Sequence, residues 1–291
     1  MICRHYLQGQ KLNVADLNEI TVLVDRCETE LTEVAYNEWK QGLTGPPHRH
    51  ARKEQIFFIL SGVGTIKVAG ETFDVKPNDW IFIPAGADHQ TIVTGPEPVG
   101  YLLFNAFLDP DKEGHASYAD HIAKVKETRR KQAETQQADV DPQAIEAASQ
   151  KKGKYISDIY SGKRFEFGSN STILLLDRNE AERCETTVVS WPAGNKGAMV
   201  AHEDKEQTFF ILSGTGFVTV GEETSPVKPG DVVFVPRETP HTTQAADEQL
   251  TYLCMNTVVT QGRYENFEKM FNQVAPGRIK RWKEGDTSVG R

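Results

Sequence analysis

The strongest constraint on the fold is that much of the chain is written twice. Displacing the sequence by 152 positions lays Val24-Asp25-Arg26 on Leu176-Asp177-Arg178 and Trp39 on Trp191. It also lays "KEQIFFILSG" on "KEQTFFILSG", "ETFDVKPNDWIFIP" on "ETSPVKPGDVVFVP", and His89 on His241. The shift holds without a gap over about seventy residues, the mark of two copies of one domain. After a one-residue slip, Tyr101 and Asn105 fall on Tyr252 and Asn256. The 291 residues are enough for two domains that each bury a core.

Within a copy, the segments "ELTEVAYNEW", "QIFFIL", "GTIKVAG", "WIFIP" and "VGYLLFNAF" are short and rich in β-branched and aromatic residues. Gly, Pro and Asp turns separate them, which predicts an all-β sandwich or barrel of antiparallel strands. Between the copies, "ASYADHIAKVKETRRKQAETQQ" and "DPQAIEAASQKK" are rich in Ala, Gln, Glu and Lys, with Pro142 in the first turn of the second segment. One or two helices solvated on one face are expected there, their charged run an exposed helix face. A similar stretch, "YENFEKMFNQV", follows the second copy. The expected organisation is a first barrel over 1–108, a helical linker over 109–153, a second barrel over 154–260 and a helical tail over 261–291.

Five of the eight histidines sit at repeat-related positions: His48, His50, His89, His202 and His241. Along a strand, side chains alternate faces, so His48 and His50 point to one side. Two imidazoles in an apolar barrel interior need a partner, and a metal ion satisfies both. A third imidazole from His89 and one oxygen from the next strand complete a four-ligand set suited to Zn, Ni, Fe(II) or Mn.

The pairing of "HRHARKEQIFFILSG" with "VKPNDWIFIPAGADH" resembles the two motifs of the cupin superfamily, and both copies carry it. The resemblance implies two tandem jelly-roll (double-stranded β-helix) barrels. Cupins usually place an acidic ligand seven residues before the glycine that ends the strand. That count reaches Gln55 from Gly62 and Gln207 from Gly214, with Glu54, one residue earlier, as the alternative register. The implied set is His48, His50, Gln55 and His89. An amide cancels none of the metal's charge, which favours Lewis-acid chemistry over redox cycling. Three histidines with glutamine resemble cupins that open or isomerise unsaturated sugar acids and cyclase cupins acting on polyketides. Oxalate decarboxylases and many quercetin-type dioxygenases carry glutamate there.

The second copy keeps His202, Gln207 and His241 but has Val200 at the position of His48. It is expected to hold metal more weakly, with Glu203 available for recruitment. One divalent ion is therefore expected in the first barrel, with a second left open. Tyr101 and Asn105 share a strand face and are candidates for positioning a substrate oxygen. Trp39 and Trp191 are expected in the core.

A net charge of -8 argues against a nucleic-acid backbone or an anionic membrane as partner. The four cysteines lack metal or disulfide spacing and are expected as buried free thiols. With no signal-like or membrane-spanning run, the expected location is cytoplasmic. The expected partner is a small-molecule substrate or ligand, with a homo-oligomer left open. The expected function is a metal-dependent isomerase, lyase or ring-opening enzyme on an oxygen-rich molecule such as a sugar acid. An Fe(II) dioxygenase and a non-enzymatic small-molecule binding or sensor protein are the alternatives.

Overall fold

A computed structural model describes residues 1–135, 155–260, 264–286 and 288–290. In the first half the strands are β1 (Ile2–His5), β2 (Gln10–Val14), β3 (Asn18–Val24), β4 (Thr32–Trp39), β5 (Lys53–Ser61), β6 (Gly64–Val68), β7 (Glu71–Val75), β8 (Asp79–Ile83), β9 (His89–Ile92) and β10 (Val99–Phe107). Helix α1 (Tyr118–Thr135) follows. The second half holds β11 (Ile156–Asp158), β12 (Lys163–Glu166), β13 (Ser171–Leu176), β14 (Cys184–Trp191), β15 (Lys205–Ser213), β16 (Gly216–Val220), β17 (Glu223–Val227), β18 (Asp231–Val235), β19 (His241–Ala245) and β20 (Leu250–Val258). Helix α2 (Phe267–Glu284) ends it. The expected helix over "DPQAIEAASQKK" lies outside the described residues.

Two compact units result, Tyr6–Asp158 and Met1–His5 with Ile159–Arg291. Each is a seven-stranded antiparallel sheet with a three-stranded one, the all-β arrangement expected of a jelly roll. In Tyr6–Asp158 the orders are β11-β8-β5-β10-β4-β3-β2 and β7-β6-β9. In the other unit they are β1-β18-β15-β20-β14-β13-β12 and β17-β16-β19. The central strands β5 and β15 are buried from Lys53 to Ile59 and from Lys205 to Ile211. Their continuous apolar run suits a strand paired on both edges and covered on both faces. Each ends in a glycine that the turn demands. Gly62 and Gly214 have φ of +73° and +76°, and a Cβ there would stand 2.1 and 2.0 Å from the carbonyl oxygens of Pro98 and Gln249.

The edge strands cross the boundaries drawn from the sequence. Ile2–His5 pairs with β18 in the second copy, while Ile156–Asp158 pairs with β8 in the first. Each edge thereby gains the ladder hydrogen bonds it would otherwise leave open. Each unit also carries a helix behind its last strand. The backbone N–H of Tyr118 donates to the Asp25 carboxylate at 3.1 Å, and that of Phe267 to Asp177 at 2.9 Å. The repeated Asp of the "VDR" and "LDR" segments thus caps the start of each helix. Tyr118 and Ile122 join the core of the first unit, and Phe267 and Ala275 a smaller cluster with Phe165 and Phe167 in the second.

All four cysteines are free; Cys184 and Cys254 are buried as expected, but Cys3 is half-buried and Cys27 exposed. Among the described residues no helix is long and apolar enough to cross a membrane. Deleting residues 2–5 should strip β18 of its outer neighbour and leave it paired with β15 alone. Amide exchange at Val232 to Phe234 is then expected to quicken at least about ten-fold, while Ile81 in β8 stays unchanged. Equal effects on both strands, or none on β18, would contradict this edge pairing.

Candidate metal centre

His48 and His89 face each other across a single antiparallel bridge. The His48 N–H donates to the His89 carbonyl at 3.0 Å, and the His89 N–H to the His48 carbonyl at 2.8 Å. His50 lies in irregular backbone between this bridge and β5, outside any strand. Simple strand alternation is therefore not what aligns the pair. The three rings nevertheless converge, with centroids 4.2 Å apart for His48–His89, 5.2 Å for His48–His50 and 5.5 Å for His50–His89. One ring nitrogen from each lies within 4.8 Å of the others.

The outer nitrogens are taken. His48 Nδ1 is 2.9 Å from the Pro46 carbonyl, His89 Nδ1 is 3.1 Å from that of Ala87, and His50 Nδ1 is 3.5 Å from Glu113 Oε1. A proton on Nδ1 satisfies each oxygen and leaves the Nε2 lone pair facing inward. Burial holds all three rings well below the usual imidazole range, His89 at about 3. They are neutral, as ligands must be.

Gln55 is aimed by a row of side chains crossing three strands. Glu33 on β4, Asn105 on β10 and Gln55 on β5 are direct neighbours in the ladders. Arg26 donates to Glu33 Oε2 through Nε at 2.5 Å and to Oε1 through Nη2 at 3.0 Å. A carboxylate so bound only accepts, so Asn105 must turn its amide nitrogen to Glu33, at 2.7 Å. Its oxygen is left to accept from Gln55 Nε2 at 2.8 Å. Gln55 Oε1 therefore points the other way, buried and without a hydrogen-bond partner, as is His89 Nε2. Two orphaned acceptors beside two further imidazoles fit a divalent cation. Gln55 lines the chamber with His48, His50 and His89. Glu54, its neighbour, points to the opposite face of the strand.

Asn105 thus orients Gln55, with its own amide fully engaged. The Tyr101 hydroxyl lines the chamber but receives N–H donors from Asn37 at 2.8 Å and Trp39 at 2.9 Å. Trp39 and Trp191 are buried, and the latter repeats the bond to Tyr252 at 3.1 Å. Among the lining residues that escaped the sequence reading, two charged or titratable ones come from α1. His121 has its ring 6.4 Å from His50, and burial lowers it to about 2. Arg129 has a buried Nη1 without a hydrogen-bond partner. Burial lowers its guanidinium to about 10, leaving it charged at neutral pH. The spacing Tyr118, Ile122, Val125, Arg129 is an i, i+4, i+7, i+11 stripe, the available signal for this inward face.

In the second barrel Val200 makes the same bridge to His241 that His48 makes to His89. Glu185 receives Arg178 Nε at 2.6 Å and Asn256 Nδ2 at 3.0 Å, and Asn256 accepts from Gln207 Nε2 at 2.9 Å. Gln207 Oε1 is again buried and unpartnered. Burial alone would raise the Glu185 carboxyl, but Lys205 and Arg178 hold it at about 2. His202 and His241 are 5.2 Å apart and held neutral by burial, His241 at about 4. The third imidazole is missing. Among the described residues, His48, His50 and His89 form the one cluster of three such ligands.

A family model described as a cupin domain matches residues 37–105 and again residues 187–256. The chain is a two-domain cupin. Fifty residues are 38% identical to an uncharacterized protein of Methanocaldococcus jannaschii, covering 17% of this chain and 40% of that one. Over 63 residues the chain is 44% identical to an uncharacterized protein of Aquifex aeolicus, covering 22% of this chain and 52% of that one. The bicupin chain thus spans about half or less of the curated relatives it matches. A mutant of Bacillus subtilis oxalate decarboxylase superposes with a TM-score of 0.60 at 15% identity, over 90% of this chain and 78% of that one. Protein Ylba from E. coli does so with a TM-score of 0.63 at 13% identity, over 90% and 92%. At such identities the likeness concerns the fold.

Asn105→Ala removes no ligand but frees the Gln55 amide to turn. In a chelator competition, metal affinity of the first barrel should fall about 10- to 100-fold, the usual cost of losing an outer-shell partner. Unchanged affinity would show that the row across β4, β10 and β5 does not aim Gln55.

Proposed function

We propose that the first barrel is the metal-dependent centre of a lyase or isomerase acting on a small organic acid of two to four carbons. The observation that carries this reading is a neutral donor set beside one unmatched cation. Around the chamber, Arg26 is matched by Glu33, and Lys53 by Glu113 at 3.1 Å. Arg129 is left over, so the chamber is positive even before a metal is counted. An anionic substrate is the natural complement.

Size narrows the acid. The chamber measures about 70 Å³, room for about five waters. This favours a molecule smaller than the sugar acids suggested by the motif. Bound by His48, His50, His89 and Gln55, a divalent ion supplies Lewis-acid polarisation of a substrate oxygen. Manganese, named for the centres of Bacillus subtilis oxalate decarboxylase, is one candidate beside Zn, Ni and Fe(II).

The protein's own groups supply the rest. The Arg129 fork binds and orients the substrate carboxylate. His121, kept neutral by burial and lining the chamber with an unpartnered Nδ1, offers a hydrogen bond from that atom to a substrate oxygen as charge develops on it. Burial behind α1 keeps bulk water from competing for both.

The test is anaerobic incubation of metal-loaded protein with hydroxy-, oxo- and dicarboxylic acids of two to four carbons, followed by NMR. One acid should be converted. Arg129→Gln should raise KM about 10- to 100-fold, the range for hydrogen bonds to a charged group, and His121→Phe should act mainly on kcat. Conversion only with oxygen uptake would favour the dioxygenase. Saturable binding without conversion would favour a sensor.

A further inference from the structure

The second barrel encloses a chamber of about 990 Å³, against about 70 Å³ in the first. Two smaller side chains line it, Val200 in place of His48 and Cys254 in place of Leu103. A space this large is at the upper end of ordinary ligand pockets.

Five cations line this chamber: Arg178, Lys205, Arg237, Arg278 and Arg281. Four have partners. Arg178 and Lys205 pair with Glu185, Arg237 lies 3.5 Å from Glu238, and Arg281 lies 3.5 Å from Asp286 and donates to the Met199 carbonyl at 2.9 Å. Arg278 has no hydrogen-bond or ion-pair partner among the described residues. Its guanidinium lies 4.6 Å over the Phe167 ring, which fixes the plane of the fork while leaving its edge free. Arg278 occupies on α2 the place that Arg129 holds on α1, counted from the Asp-capped helix starts at Phe267 and Tyr118.

The wall beside Arg278 carries an apolar patch. Met270 replaces His121 at the matching helix position, and Val274, Phe167 and Trp191 face the same space. Polar groups line much of the rest, among them Asn170, Thr172 and Asn256 with His202, His241 and the unpartnered oxygen of Gln207. An unmatched guanidinium in such surroundings is costly without an anion.

We infer that the second barrel is a separate binding site for an amphiphilic organic carboxylate, ring-sized or larger, held by Arg278 and not dependent on metal. The carboxylate takes the two edge donors of Arg278, and the apolar body lies between Phe167 and the Met270–Val274 face of α2. Such a ligand is too large for the first chamber, so the two barrels bind different molecules.

Full-length protein treated with EDTA is titrated with anilinonaphthalene sulfonate, an amphiphilic aromatic anion. The bound dye is then displaced with phenylacetate or with phenylacetamide, its neutral near-isostere. We expect one saturable dye site per chain and displacement by phenylacetate at a concentration at least about ten-fold lower. Arg278→Gln should abolish that preference, and Arg129→Gln should retain it. Val274→Trp, which puts an indole where the apolar body would lie beside Phe167 and leaves Arg278 in place, should remove the dye site and decides the matter if Arg278→Gln melts early. Absence of a saturable site, equal displacement by acid and amide, an unchanged preference in Arg278→Gln, or a dye site retained in Val274→Trp would each overturn the inference.

Discussion

Glu33 sits fully buried in the first barrel with both oxygens occupied by donors, and the orientation of the amides beyond it follows from that. A carboxylate that only accepts dictates which end Asn105 presents, and Asn105 dictates which end Gln55 presents. The Gln55 oxygen thereby joins the imidazoles of His48, His50 and His89 as an inward acceptor. Burying the Arg26–Glu33 pair adds little stability by itself, but removing one partner would cost about 3–5 kcal/mol. Its specific contribution is directional. Because Arg178, Glu185, Asn256 and Gln207 repeat the row, the scaffold for an inward amide oxygen exists in both copies.

What differs between the barrels is what the shared scaffold faces. In the first, a third imidazole and His121 line a tight chamber with Arg129 at its wall. In the second, Val200, Cys254 and Met270 stand at the matching positions of a wide chamber with an apolar patch beside Arg278. A few side chains at matched positions separate a site suited to a metal and a small acid from one suited to a larger organic anion.

The repeat, the strands and the motif histidines were legible because alternation, turn glycines and constant spacing are local in sequence. The aiming of Gln55 was not, since it depends on ladder neighbours on three strands. Its parts were visible, however: the "VDR" and "LDR" arginines and the Glu33–Glu185 pair all keep the 152-residue shift. Arg129 and Arg278 were hidden because the shift falls to 149 on the helices, and α1 reads as a solvated charged run. The exchange of Ile2–His5 and Ile156–Asp158 was hidden for another reason. Nothing in a four-residue strand names the edge that it completes. Tyr101 and Asn105 were candidates from their shared strand face, but their hydrogen bonds to Trp39, Asn37, Glu33 and Gln55 appear only in three dimensions.

Anomalous diffraction from crystals grown with manganese tests the central claim most directly. The account predicts one strong peak per chain, within coordination distance of His48, His50, His89 and the Gln55 amide oxygen, and no comparable peak beside His202 and His241. A first barrel without a peak, or a peak coordinated by Glu54 in place of Gln55, would contradict it.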